Sequence, residues 1–310
     1  MRASANPQAI SGKADTGRQN QRFRRLFFWF LHFHDVGACE PPTAATTRTR
    51  PLMDFGLLTL GLAAMAAGFV DSIVGGGGLI LVPALFSAFP TTPPATLFGT
   101  NKGGAIWGTS AAMLSFLRRV RIPWSTVLPA TLAAFGGALL GAFEITRVES
   151  GEFRKALPFI LTAVLAYTLA RKDLGHHHSP HLSGRAETLL AVLGGGVIGF
   201  YDGFFGPGTG NFLVFLFVRG FGFDFLHAAA SAKVVNVACN LAALLLFASK
   251  GHVMWPIALV IALCNIAGSV LGTRLAMRRG THFVRWMFIG IVALLIAKTA
   301  WDAFFAAAAH

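Results

Sequence analysis

The hydrophobic positions of this chain are grouped into long runs, and the polar positions form short stretches between them. From Met53 onward most runs approach the roughly 20 residues that a helix needs to cross the hydrocarbon core of a bilayer. Each run holds few charged residues, which favours membrane spans over the helices of a soluble protein. We predict apolar segments at 54–90, 95–117, 124–145, 155–170, 188–218, 226–248, 254–276 and 283–305.

Two of these segments are interrupted by glycine. Segment 54–90 contains four glycines at 75–78, and segment 188–218 contains Gly206-Pro207-Gly208. Segment 54–90 is long for one helix and barely enough for two, so we expect a spanning helix followed by a shorter one. Irregular backbone at membrane depth is tolerated where it is buried in protein or lines a cavity. Both breaks are therefore candidate sites.

The chain also matches itself when Asp71 is placed on Asp202, and we call this match the self-alignment. An ungapped overlap of 80 positions, 68–147 on 199–278, contains 19 identities, where about 7 are expected by chance in a chain rich in Ala, Leu and Gly. Lys102 then falls on Lys233, so the lysine follows the aspartate at the same spacing in each copy. A charge kept in both copies of an apolar repeat indicates a functional site.

The repeat predicts the domain organisation. We define the first half as residues 53–170 and the second half as 188–305, joined by a polar, histidine-rich linker at 171–187. The predicted fold is an all-α integral membrane protein with about eight transmembrane segments in two internal repeats, each opening with a glycine-broken helix. Inverted halves are favoured over parallel ones because they gather most of the basic loops, from Arg118 to Arg285, on the cytoplasmic side.

Composition supports a membrane protein and argues against one other class. The chain is 54% hydrophobic and 13% charged, against about 25% charged residues in an average soluble domain. Its net charge of +13 would suit nucleic acid, but the basic residues lie in short loops and near the N-terminus and form no stripe interleaved with aromatic residues. We expect no nucleic-acid partner. The three cysteines show no metal or redox spacing.

Residues 1–52 differ in kind from the rest. They are polar and rich in arginine and threonine, and their one aromatic island, at 26–31, is too short to span a bilayer. Three interpretations are open: a disordered basic tail, an amphipathic surface segment, or upstream sequence translated from a wrongly assigned start codon. The third is favoured because Met53 opens the membrane region directly. N-terminal sequencing of the native protein tests it.

The glycine breaks and nearby polar residues form the candidate substrate site. A break exposes N–H groups at the start of the next half-helix, whose dipole favours an anion, and a lysine facing a cavity adds positive charge. The substrate-binding candidates are Gly75, Gly76, Gly77, Thr100, Asn101, Lys102, Gly206, Gly208, Thr209, Lys233, Asn236 and Asn240. We expect Asp71 and Asp202 to pair with the lysines or to carry a coupled proton.

Each feature also has a structural alternative. Glycines allow tight helix packing in a bilayer, and amide side chains on one helix face can join two helices. A lysine can snorkel from a helix end or hold helices together in an Asp–Lys pair. The histidines at 176–178 and 181 are interpreted as a solvated loop. We predict no metal site, no cofactor and no catalytic residue, because no ligand spacing, nucleotide motif or catalytic arrangement occurs in the sequence.

At these motifs the chain resembles the sulfite exporter TauE/SafE family of membrane transporters. The matching stretches are 68–78, 99–102, 199–210 and 232–236. The resemblance covers 53–305 and does not reach 1–52, which supports the wrong-start interpretation. It implies a multi-pass carrier of the bacterial inner membrane, associated with export of sulfite, sulfoacetate or related sulfur anions.

We therefore predict a secondary transporter that exports a small anion by alternating access between its two halves, with sulfite or an organosulfonate as candidate substrates. A passive anion channel is the alternative, and a membrane-embedded enzyme acting on lipid-linked substrates is a third. The predicted partners are the small anion and the lipid bilayer, and homo-oligomerisation is left open.

Overall fold

The computed structural model describes residues 50–148, 159–161, 163 and 183–301, without the side chains of 50–55, 74 and 280–301. Within these ranges the backbone forms helices and turns and contains no strand. The N-terminal stretch before residue 50, the linker histidines and most of segment 155–170 lie outside the described residues. The helices are α1 (Arg50–Val74), α2 (Gly78–Ala88), α3 (Pro94–Leu117), α4 (Trp124–Ile145), α5 (Gly184–Phe204), α6 (Thr209–Phe215), α7 (Phe225–Ser249) and α8 (Trp255–Trp301). A π-helical turn, Leu216–Gly220, continues α6.

The two predicted helix breaks are confirmed. Between α1 and α2 the chain turns at Gly75, which has φ +91°, and between α5 and α6 it turns at Gly206, with φ +90°. This left-handed region is open to glycine and strained for most other residues. The shorter segments α2 and α6 then follow, as the length of the apolar runs predicts.

The expected break between segments 254–276 and 283–305 is absent, because Trp255–Trp301 is one continuous helix. The junction contains arginines, no proline and a single glycine, Gly280. One glycine costs about 1 kcal/mol in a helix interior, which is too little to end a helix. Two other boundaries also differ, since α1 and α5 begin at 50 and 184, ahead of the apolar runs at 54 and 188.

Four of the described helices are long and apolar enough to cross a membrane. These stretches are Gly56–Ile73, Trp124–Ile145, Phe225–Ser249 and Trp255–Arg279. Their outer surfaces expose large apolar side chains, including Leu132 at 66%. Exposed apolar side chains on membrane-length helices fit lipid rather than water.

Glycines let α4 and α5 touch backbone to backbone. Main-chain carbonyls on α4 meet glycines on α5 in ascending order along both helices, so the two helices run in the same direction. The contacts join Ala130 to Gly195, Ala134 to Gly199 and Ala138 to Gly203. Small residues permit such close approach in a bilayer.

The same arrangement recurs at the other junction of the halves. Gly68 on α1 meets the carbonyl of Asn265 on α8, and the self-alignment makes this contact the equivalent of the one between Gly199 and Ala134. In contrast, α3 and α7 run in opposite directions, since Gly99 contacts Phe247 and Gly103 contacts Leu244. Each half thus packs its first helix against the partner half's Trp-initiated helix, and the two breaks are brought together.

Candidate functional site

The two helix breaks touch at the centre of the described region. A methyl group placed on Gly75 would lie 2.6 Å from the Cα of Gly210, so only glycines allow the two backbones to meet here. Beside this contact lies a narrow space of about 30 Å³, which we call the central cleft. Its lining is drawn from both halves: Ala67, Asp71, Gly75, Gly77, Gly78, Leu81, Asn101, Lys102, Ala105, Thr109, Asp202, Gly206, Thr209, Gly210, Asn236, Asn240 and Asn265.

One buried ion pair joins α3 to α5. Lys102 Nζ donates to Asp202 Oδ2 at 2.5 Å, and the two side chains are only 3% and 2% exposed. Removing either charge would leave the other buried without a partner, which is strongly unfavourable in a low-dielectric interior. This pair therefore holds two helices of different halves together.

A second ion pair joins α1 to α7. Lys233 Nζ lies 3.2 Å from Asp71 Oδ2 and also donates to the main-chain oxygen of Asp71. Thr109 Oγ1 donates to the same carboxylate oxygen at 3.2 Å. The Asp71 side chain is 14% exposed, whereas Lys233 is 4% exposed. Of the two aspartates, Asp71 is thus the more accessible.

The pairing crosses between the halves. Within each half the lysine follows the aspartate at one and the same spacing, but Lys102 binds the aspartate of the second half and Lys233 binds that of the first. The two lysines and the two aspartates therefore form two ion pairs, each between the halves. Because both lysines are paired, the described part of the cleft carries no unpaired charge.

Three cleft asparagines have free hydrogen-bonding capacity. Asn101, Asn236 and Asn240 are 7%, 6% and 4% exposed, and their amide groups make no hydrogen bond with the described residues. Buried amides normally have partners. Their donors and acceptors are therefore available to a ligand in the cleft.

Four predicted substrate-binding residues do not line the cleft, namely Gly76, Thr100, Gly208 and Lys233. Thr100 serves the packing of α3 on α8: its Oγ1 donates to the carbonyl of Thr96 at 2.7 Å and accepts from the N–H of Met254 at 3.0 Å. The other eight predicted substrate-binding residues and both aspartates do line it.

Sequence reasoning missed two polar residues near the breaks. Asn265 lines the cleft and donates from Nδ2 to the carbonyl of Ala64 at 3.1 Å. Its equivalent in the self-alignment is Ala134, so a search for charges kept in both copies passes over it. Asn211 is also buried, and its Oδ1 has no partner among the described residues. Both Asn265 and Asn211 could have been found in the sequence as polar residues inside apolar runs.

A family profile matches most of this chain. The profile described as Sulfite exporter TauE/SafE matches residues 60–299. The chain belongs to this family. The resemblance read from the glycine motifs is confirmed, and family membership together with the apolar helices establishes a multi-pass membrane protein.

Several named bacterial proteins align with this chain over most of their own length. The chain is 36% identical over 254 residues to a Haemophilus influenzae protein named Probable membrane transporter protein, covering 81% of the chain and 98% of that relative. It is 36% identical over 240 residues to the Escherichia coli K12 protein named Probable membrane transporter protein YfcA, covering 77% and 87%. A Bacillus subtilis relative, named Probable membrane transporter protein YunE, is 24% identical over 265 residues, covering 77% and 94%. No solved structure matches the chain.

Proposed function

We propose that this protein is a secondary transporter that exports a small anion across the bacterial inner membrane by alternating access. The observation that carries the proposal is the central cleft, where two broken helices meet beside two buried Asp–Lys pairs and three unpartnered asparagine amides of the described region. Sulfite or an organosulfonate is the proposed substrate class, in keeping with the family description. Amide N–H groups and the amino end of α2 suit the oxygens of such an anion.

We propose different roles for the two ion pairs. Lys102 and Asp202 are fully buried and 2.5 Å apart, which suits a permanent link between α3 and α5. Asp71 lines the cleft, is partly exposed, and binds Lys233 at a longer 3.2 Å. A proton taken up by Asp71 would leave the Lys233 charge unbalanced and would favour an anion, so Asp71 is the proposed coupling carboxylate.

We propose that the two halves are inverted, with the single helix α8 in place of the last two of the eight predicted segments. The opposite directions of the equivalent helices α3 and α7 support it. Orientation follows from charge: Arg118, Arg119 and Arg121 follow the end of α3, and Arg278 lies at the same end because α3 and α8 run in parallel. We place this arginine-rich end in the cytoplasm, as the distribution of basic loops requires.

Purified protein in proteoliposomes tests the proposal. Uptake of sulfite, sulfate, thiosulfate, sulfoacetate and small carboxylates is measured with and without a proton gradient, and empty liposomes are the control. We expect saturable uptake of one anion class, accelerated by the same anion on the opposite side. Absence of flux for every anion would contradict the transporter proposal. Single-channel currents would contradict the carrier mechanism and indicate a passive channel.

A further inference from the structure

A second polar cavity lies away from the central cleft, between the carboxyl end of α3 and the middle of α8. It has a volume of about 440 Å³ and opens to the surface. We call it the arginine cavity, because its lining includes Arg118, Arg119, Arg274 and Arg278. It lies where the membrane-length stretch Trp255–Arg279 ends, at the level of the lipid headgroups in the proposed orientation.

The positive charge of the arginine cavity is not neutralised by its described lining residues. No carboxylate is among its described lining residues, and the four arginine side chains form no ion pair or hydrogen bond within the described part of the chain. Basic residues at a cytoplasmic helix end are ordinary. Four that converge on one cavity repel each other, and a bound anion would relieve that repulsion.

A buried hydroxyl in the same cavity also lacks a partner. Thr273 lines the cavity, is 2% exposed, and its Oγ1 makes no hydrogen bond with any residue that the structure describes. Other helical threonines here, such as Thr100 and Thr131, donate to the carbonyl one turn earlier. An unsatisfied buried hydroxyl calls for an explanation, and an oxygen of a ligand in the cavity would supply one.

The equivalent place in the first half is built differently. In the self-alignment, Phe143 stands where Arg274 does. Arg147 Cζ lies 4.0 Å and Lys250 Nζ lies 4.3 Å from the centroid of the Phe143 ring. These two cations therefore already make cation–π contacts with Phe143. The arginine cavity is therefore not a by-product of the repeat.

We propose that the arginine cavity binds a phosphate group, carried by an anionic membrane lipid or present as the free ion. Guanidinium groups match the oxygens of a phosphate in a two-point geometry, and Thr273 Oγ1 would donate to a remaining oxygen. Basic pockets between transmembrane helices on the cytoplasmic side are suited to lipid headgroups.

Thermal stabilisation of delipidated protein in detergent tests this site. Phosphatidylglycerol, phosphatidylcholine and inorganic phosphate are titrated separately, and the shift in unfolding temperature reports the apparent affinity. We expect Arg274→Gln and Thr273→Val to weaken binding of the active ligand, about tenfold or more for Arg274→Gln, since a charged hydrogen bond is lost. Arg121→Gln, on the same end but outside the cavity, is the matched control.

The results distinguish a lipid headgroup from free phosphate as the ligand. Stabilisation by phosphatidylglycerol alone supports a lipid headgroup, and stabilisation by inorganic phosphate supports a free-ion site. Equal losses in Arg121→Gln and Arg274→Gln would show general surface charge and overturn the proposal, as would no stabilisation by any phosphate. Arg274→Lys keeps the positive charge and is the second variant to measure if Arg274→Gln does not fold. Its binding is expected to lie between that of the wild type and that of Arg274→Gln. The test does not depend on transport.

Discussion

The buried pair between Lys102 and Asp202 makes the sharpest prediction about this protein. Substitution of Lys102 by Met removes the cation that lies 2.5 Å from Asp202 and leaves a carboxylate that is 2% exposed. Loss of one partner of a buried pair costs about 3–5 kcal/mol. That is a large part of the roughly 5–15 kcal/mol by which a folded domain is stable.

The unfolding temperature should therefore fall by on the order of 10 °C. The double variant Lys102→Met with Asp202→Asn carries no orphan charge and should recover most of the loss, because an uncharged replacement of both partners is close to neutral. Lys233→Met is the matched comparison. Its effect should be smaller, because Asp71 keeps 14% exposure and a contact with Thr109.

Thermal unfolding of the detergent-purified variants measures these differences, and the variants Lys102→Met, Asp202→Asn and their combination form a cycle that isolates the pair energy. Equal unfolding temperatures for Lys102→Met and Lys233→Met would refute the ranking of the two pairs. A double variant no more stable than Lys102→Met alone would refute the charge argument itself. Anion flux through the stable double variant then shows whether the pair also serves transport: retained flux assigns it to structure alone.

Four further predictions follow from the same geometry. Asp71→Asn should abolish the stimulation of flux by a proton gradient while exchange of anion for anion persists; unchanged stimulation would remove Asp71 from coupling. Asn240→Leu should raise the anion concentration for half-maximal flux about tenfold through one lost hydrogen bond, and an unchanged value would take the residue out of the site. Gly137→Ala should lower the yield of folded protein because its methyl group would overlap the carbonyl oxygen of Gly196, while Gly136→Ala, with open space around it, should be silent. Asp224 caps α7 by accepting the N–H groups of the first turn, so Asp224→Ala should cost about 1 kcal/mol in thermal unfolding at neutral pH and progressively less on acidification.

The stabilisation by the Asp224 cap has a defined dependence on pH. Burial acts to raise the pKa of Asp224, but hydrogen bonds and the charge of His227 outweigh it, and the pKa lies below the usual 3.8. A lowered pKa in the folded state means that the carboxylate stabilises the protein above the unfolded pKa, and that this contribution is lost as the pH falls through the folded value. A cap contribution that grew on acidification would contradict this assignment.

Much of the fold could be predicted because its signals are local. Apolar runs of spanning length placed α3, α4 and α7 within about two residues of their observed ends. The glycines at 75 and 206 marked both breaks, since few other residues adopt the backbone angles found there. The continuity of α8 was missed because hydropathy ends where the arginines begin, whereas arginine is a good helix former.

For the candidate site, the sequence and the tertiary structure determined different things. The sequence alone determined which polar residues lie in apolar surroundings, and so it pointed to Asp71, Asp202 and the two lysines, because a charge in an apolar run stands out without knowledge of any contact. Only the tertiary structure decided that each lysine binds the aspartate of the opposite half. The physical reason is that such pairing depends on which helix faces meet when the halves pack together. The spacing of aspartate and lysine within each half carries no information about that packing.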